Sequence, residues 1–422
     1  MPDKDSTKKL IKLRFIALLN QVFLQVAVPA LFIIQSDLSH YGIWLAVNSY
    51  SSFLALLDLG FFAVIPTSAM AHSSEQLSDK DRFSLVAMRK YSTSVSSLGI
   101  VTLVIFLFLG RLLNVDVLKS NLFLFGVLAA INVLLVLKLR YFEASYRSVN
   151  STTGFERLTF HSLLTTISTI SVIYLSGSIL GILACNILIS ILFLFLYRLK
   201  GDAFIFNQNV HADVFQILRE FFRRGITYQF FPIGYLMINQ GIVIIIQHIG
   251  GFEVLGQLGA IRAIAGIFRQ LSGMIINAAI PQVSLLLKSG NYVDAKIRFQ
   301  SIKKFVYSIN MIAFFVLMFG IFAYYLNGSS TYKSIPVITC LFFIISAALD
   351  VPWNTWLILS LSVNSHVNLG LRFMISSLVT LVITIPAYEY MGISGIAAAL
   401  LVQDLMMTPH TIRQGKAILQ LL

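Results

Sequence analysis

Apolar residues run along this chain in long blocks separated by short polar breaks. Blocks long enough to span a bilayer occupy roughly 15–35, 42–71, 91–110, 121–142, 158–176 and 178–197. A second set follows at roughly 224–248, 254–287, 305–326, 333–361, 370–388 and 392–412. A hydrocarbon layer of about 30 Å needs about 20 residues of α-helix, so the pattern predicts an all-α polytopic membrane protein of about 12 transmembrane helices. Several blocks exceed 25 residues, which predicts tilt or a kink.

Composition agrees. Hydrophobic residues make up 57% of the 422 positions, charged residues only 12%, and the mean hydropathy is +0.83. Soluble domains carry about a quarter charged residues, and there is no room here for a large one. Basic residues fix the orientation. With the N-terminus in the cytoplasm, 26 of the 31 Lys and Arg residues fall on that side, and only Arg111, Lys119 and Lys333 fall on the other. Positive residues concentrate in cytoplasmic loops, so both termini are expected there. The first block, about 20 residues long and without a small-residue cleavage site, reads as a retained anchor rather than a signal peptide. The net charge of +13 is therefore topology, spread over loops, and predicts no nucleic-acid partner.

Enzymatic readings find little to stand on. Cys185 and Cys340 lie far apart in apolar blocks, so neither a disulfide framework nor a thiolate metal cluster is expected. No phosphate-binding loop, HExxH motif, Ser-His-Asp set or paired-carboxylate arrangement appears, and no cofactor or metal is expected.

The longest basic connection divides the chain into residues 1–200, a linker at 201–223, and residues 224–422. Within the linker Val214, Ile217, Leu218, Phe221 and Phe222 recur at helical spacing, which predicts an amphipathic helix at the membrane surface. The two halves echo each other. Asn20-Gln21 in the first block matches Asn239-Gln240 in the seventh. Gly42 and Pro66 bracket the second block as Gly256 and Pro281 bracket the eighth, and basic loops follow both. Each half holds an even number of spans, so the repeat is parallel. Parallel repeats predict a site between the halves.

Ionisable residues inside the blocks are the candidates for chemistry, because charge in hydrocarbon is costly. Arg262 and Arg269 lie about 13 Å and 24 Å along the eighth span, counted from its outer end. Seven residues apart, they share one face. Guanidinium matches phosphate and carboxylate oxygens in bidentate fashion, so this stripe could bind phosphate or acidic sugar, or pair with buried carboxylates. Asp58, Asp350 and Asp404 could accept protons in an ion-coupled cycle or pair with arginine. Asp58 lies in the repeat partner of the eighth span and is the first-ranked partner, and Asp404 is assigned to helix packing. The amides Asn20, Gln21, Asn239 and Gln240 suit either a sugar-binding surface or bridges between helices.

The stretch His40-Tyr41-Gly42-Ile43-Trp44, leading to Asp58-Leu59-Gly60, resembles the second-helix signature of the O-antigen flippases, the Wzx type of polysaccharide transporter. The region from Gly256 to Pro281 with its basic loop is similar to the corresponding eighth helix. The resemblance implies the MATE-like fold of the multidrug/oligosaccharidyl-lipid/polysaccharide exporter superfamily, two six-helix bundles around a cavity. It implies alternating-access translocation of an undecaprenyl-diphosphate-linked O-antigen repeat unit, driven by a proton or sodium gradient. It also implies the inner membrane of a bacterium and contact with other polysaccharide assembly proteins. Arg262 and Arg269 sit where that family's cationic cavity would be. Two other readings stay open: a MATE-type drug/cation antiporter and a membrane polysaccharide polymerase. The first would favour a carboxylate-rich, aromatic cavity, and the second a larger external loop than the ten or so residues here.

Overall fold

The computed structural model describes residues 4–58, 79–112, 121–148, 152–199, 229–288, 290–326, 337–363, 365 and 367–421. Twelve helices account for them. In the first half these are α1 (Lys4–Gln35), α2 (Leu38–Ser52), α3 (Asp79–Leu112), α4 (Asn121–Ser148), α5 (Thr152–Ser176) and α6 (Ile179–Leu199). In the second they are α7 (Phe230–Leu236), α8 (Ile242–Lys288), α9 (Tyr292–Leu326), α10 (Val337–Ser362), α11 (Val367–Met391) and α12 (Ile393–Leu421). No strand occurs among the described residues. The amphipathic linker expected at 201–223 lies outside them.

Over the described residues every apolar block coincides with helix, but the helices overrun the blocks on the basic side. α3 begins at Asp79 rather than near 91, α9 at Tyr292 rather than near 305, and α12 continues to Leu421. Hydropathy registers only the part of a helix that lies in hydrocarbon. The backbone hydrogen-bond ladder continues into the interface, where Lys80, Arg82, Lys296 and Arg298 ride on it. The second block differs in kind. Its α-helix ends at Ser52 and tightens into a 3₁₀ segment, Phe53–Asp58. At its start Asp37 caps α2, accepting the His40 backbone N–H at 2.7 Å. That bond, with the His40 ring 2.9 Å away, holds the exposed Asp37 carboxyl below the ordinary 3.8.

Four turns among the described residues are made by glycines in left-handed backbone: Gly177 (φ 60°) between α5 and α6, Gly251 (φ 76°) within α8, Gly290 (φ 74°) between α8 and α9, and Gly392 (φ 59°) between α11 and α12. A side chain at such a φ costs about 1 kcal/mol or more. Gly251 is the true boundary between the seventh and eighth spans, since ψ there is −177° and the helix restarts in a new direction.

The chain forms two compact units, Met1–Pro232 and Ile233–Leu422. In the first, α1 packs on α5, α2 on α4, α3 on α4, α4 on α6, and α5 on α6. In the second, the π-helical turn that ends α7 packs on α11, α8 on α10, α9 on α10, α10 on α12, and α11 on α12. Adding six to each helix number turns the first set into the second. The parallel repeat is thus present in the pairing of helices as well as in scattered residues. The turns repeat too: Gly177 and Gly181 recur as Gly392 and Gly395, 215 and 214 residues on.

Each unit has an apolar core. Phe32, Val47, Ala129, Ile173, Ile182 and Leu183 form one, and Val283, Phe299, Val306, Val351, Ile358 and Leu359 the other. Outside, large apolar side chains such as Leu98, Ile167, Leu188, Phe319 and Val382 are exposed. Exposure of that kind over whole helices is untenable in water. Seven of the described helical stretches are long and apolar enough to cross a bilayer, one of them running through Gly251. The chain is a multi-pass membrane protein.

Candidate functional site: an ionisable cluster in the second unit

The site is built on α10. Ser346, Asp350, Trp353 and Asn354 occur at helical spacing and so share one face of it, in a segment otherwise apolar. Pro352 lies among them and removes one N–H from the ladder. The Asn354 side chain donates to the Asp350 backbone carbonyl at 3.0 Å, and the Tyr235 hydroxyl of α7 donates to Asn354 Oδ1 at 3.0 Å. Tyr235, Trp353 and Phe373 pack as an aromatic group, with Phe373 4.7 Å from the first and 5.2 Å from the second between ring centroids. Gly234 permits this. A Cβ there would lie 2.6 Å from the Phe373 ring.

Asp350 and Asp404 are both buried, at 6% and 3% exposure. Arg269 of α8 brings its Nε to 3.5 Å from Asp350 Oδ2. On α12, Asp404 accepts from the Ser346 hydroxyl (2.8 Å) and from the Trp353 indole N–H (3.2 Å). Arg269, Asp350 and Asp404 act on one another electrostatically. The cluster therefore holds two acids and one base. Arg269 is 30% exposed where Asp350 is 8% by side chain, and its buried Nε has no hydrogen-bond partner among the described residues. Its Nε thus faces Asp350 as an ion pair without a hydrogen bond.

The repeat supplies an internal comparison. Ser346 and Asp404 lie 214 residues after Asn132 and Ser190, which meet at 3.5 Å across α4 and α6. By the same offset Asp350 answers to Val136. The first unit thus makes the same helix junction from neutral residues. Packing does not require the charges in the second.

The other candidates fall in several places. Arg262 donates to both acceptors of Asn239, its backbone carbonyl at 3.0 Å and its Oδ1 at 2.7 Å. Asn239 lies in a π-helical turn, Met237–Gly241, that joins α7 to α8, and Gln240 is half-buried in the same turn. Asn20 is buried and donates at 2.9 Å to Ser162 and to Thr166 of α5, which makes it a bridge between helices. Gln21 is exposed on α1. Asp58 closes the 3₁₀ segment, and its side chain lies outside the described residues. The described partner of Arg269 is Asp350; the expected pairing with Asp58 rests on a side chain outside the described residues. Sequence reasoning missed the junction of Asp404 with Ser346 and Trp353. The polar stripe on α10 was a signal available for it.

By sequence the chain matches no protein-family model and no curated protein. Solved structures do match. The MATE multidrug transporter DinF-BH superposes with a TM-score of 0.67 at 14% identity, covering 96% of this chain and 94% of that one. MATE in its bent conformation gives 0.61 at 14%, covering 99% and 96%. This chain has the MATE fold. A MOP superfamily transporter from Pyrococcus furiosus, described as having a binding pocket of reverse polarity that suggests a different function, gives 0.58 at 12%, covering 98% and 96%. On this MATE fold, the α10–α12 junction is one place where the second unit departs from the first.

Proposed function

We propose that this chain is an ion-coupled transporter that flips a polyprenyl-diphosphate-linked oligosaccharide across a bacterial inner membrane by alternating access, and that it performs no covalent chemistry. The observation that carries the reading is Arg269: a guanidinium in an apolar span, partly exposed, whose Nε faces Asp350 at 3.5 Å without a hydrogen bond. Guanidinium takes diphosphate oxygens in a planar, bidentate fashion. Arg269 would repel a drug cation and attract an anion, whereas the two carboxylates and the aromatic group beside it are the features the antiporter alternative would use. The Pyrococcus furiosus protein, described as having reversed pocket polarity, is a precedent for divergence of that kind on this fold.

Coupling follows from charge balance. Arg269 neutralises one carboxylate, and the second is left to exchange an ion with the medium. The donor set suits a proton better than sodium. Asp404 faces an indole N–H, which cannot ligate a cation, and a hydroxyl, which accepts as readily as it donates. When substrate phosphate takes Arg269, Asp350 loses its counter-charge and a proton is the simplest replacement. Asn20, Asn239 and the other amides then serve mainly to hold helices.

The reading is tested in a strain deleted for its own O-antigen flippase, scoring surface polysaccharide at matched membrane expression. Wild type is expected to restore polysaccharide, Arg269→Lys to restore part, and Arg269→Gln none. Full rescue by Arg269→Gln would overturn the role of this arginine.

A further inference from the structure

The seventh span is not a continuous α-helix. Between α7 and α8 the chain makes one π-helical turn, Met237–Gly241, which carries one more residue per turn than an α-helix does. Such a turn leaves a carbonyl off the ladder. Here that acceptor is met from outside: the Arg262 fork closes on Asn239, one N–H on its backbone oxygen and one on its side-chain oxygen. The π turn decides where the preceding helix points. Converting it to α would rotate the residues before it by about 100° and shift them by about 1.5 Å. Tyr235 is two residues before the turn and is the side chain that reaches Asn354 beside Asp350. Register at Asn239 and docking of Tyr235 on α10 are therefore one variable.

The first unit shows the alternative arrangement. Its counterpart helix α1 runs α-helical through Asn20, whose side chain turns to α5 and donates to Ser162 and Thr166. Ser162 answers, 215 residues on, to Ser377 of α11, which lies against Gly234. By the offset of the turns, 214 residues, the place of Asn20 is taken in the second unit by Gly234, and Asn239 lies about a turn later, inside the π turn. The first unit thus runs this helix as an unbroken ladder, and the second interrupts it with a π turn held by an arginine.

We propose that Arg262 is a latch: its guanidinium holds the π turn closed on Asn239, and a diphosphate that claims the same fork releases the turn, withdrawing Tyr235 from α10. Resting on the diphosphate reading above, the latch assigns the two arginines different tasks. Arg269 answers the charge of the cluster, and Arg262 reports occupancy to it. Arg262 is thus a positioning residue with respect to Asp350.

The test uses the full chain in nanodiscs with 5-fluorotryptophan at its three tryptophans, read by fluorine NMR, with Trp353 assigned through Trp353→Phe. Trp353 stacks on Tyr235 at 6.5 Å between centroids, so its resonance reports whether Tyr235 is docked. Farnesyl diphosphate is the probe, and farnesol controls for partition into lipid. Wild type is expected to show a Trp353 shift with the diphosphate and none with farnesol. Arg262→Lys keeps the charge but cannot grip both acceptors, and Asn239→Ala removes one acceptor. Both are expected to show the shifted Trp353 without ligand, with Trp44 unmoved as evidence of an intact fold. Trp353 at its wild-type position in both ligand-free variants would overturn the latch. Diphosphate binding by wild type with Trp353 unmoved would also overturn it, while leaving the flippase reading in place. No diphosphate binding by wild type would overturn the ligand half of the latch together with that reading.

Discussion

Arg269 and Asp350 differ in what surrounds them, and that difference separates stability from transport. Removing the arginine strands a buried carboxylate, which typically costs about 3 kcal/mol or more. Removing both charges leaves nothing stranded. Arg269→Gln is therefore expected to lower the thermal midpoint in detergent, and Arg269→Gln with Asp350→Asn to regain most of the loss. Neither is expected to transport. Equal destabilisation by the single and double variants would mean that the pair does not interact. The sequence exposed both residues as ionisable groups in apolar blocks, but not their partnership. Arg269 lies 81 positions before Asp350, and helix periodicity gives faces, not which faces meet.

Elements were more legible than contacts, because the bilayer writes helix length directly into apolar runs. What hydropathy could not show was where the ladder departs from α geometry. The 3₁₀ segment Phe53–Asp58, the π turn Met237–Gly241 and the restart at Gly251 leave the apolar pattern unbroken. Glycine spacing held more information than it was credited with. Gly395 lies where α12 leaves its turn against α11, and a Cβ there would run into the backbone carbonyl oxygen of Ala387. No rotamer relieves a clash with backbone. Gly395→Ala is expected to destabilise the α11–α12 hairpin by several kcal/mol, within the range for overpacking that moves backbone. Gly273→Ala, where a Cβ meets nothing within 4 Å, should be neutral or slightly stabilising by helix propensity. Thermal unfolding of the two variants side by side checks this, and equal midpoints would contradict the packing of the hairpin.

At the scale of the molecule, the repeat seen in a few short motifs proved to be a repeat of helix pairing, five packed pairs recurring six helices on. The amides Asn20 and Asn239, 219 residues apart, do not share the offset of 214 or 215 that the turns and junctions keep. The asymmetry mattered more than the symmetry. A junction that is Asn132 with Ser190 in one unit is Ser346 with Asp404 in the other, and only the second is joined by Asp350 and Arg269. Sequence alone could not rank that contrast, since the alignment of the halves rests on the same offsets that the turns at Gly177 and Gly392 fix structurally.

The central claim is that this second-unit cluster couples a proton to movement of a diphosphate-bearing lipid. It is tested most directly by proteoliposomes loaded with a fluorescent polyprenyl-diphosphate oligosaccharide, with translocation followed under imposed pH or sodium gradients. Wild type is predicted to respond to the pH gradient and not to sodium. Asp404→Asn, which retains Arg269 and Asp350, is predicted to bind the lipid and to lose the response to pH. Unchanged acceleration by the pH gradient in Asp404→Asn, or indifference of wild type to that gradient, would contradict it.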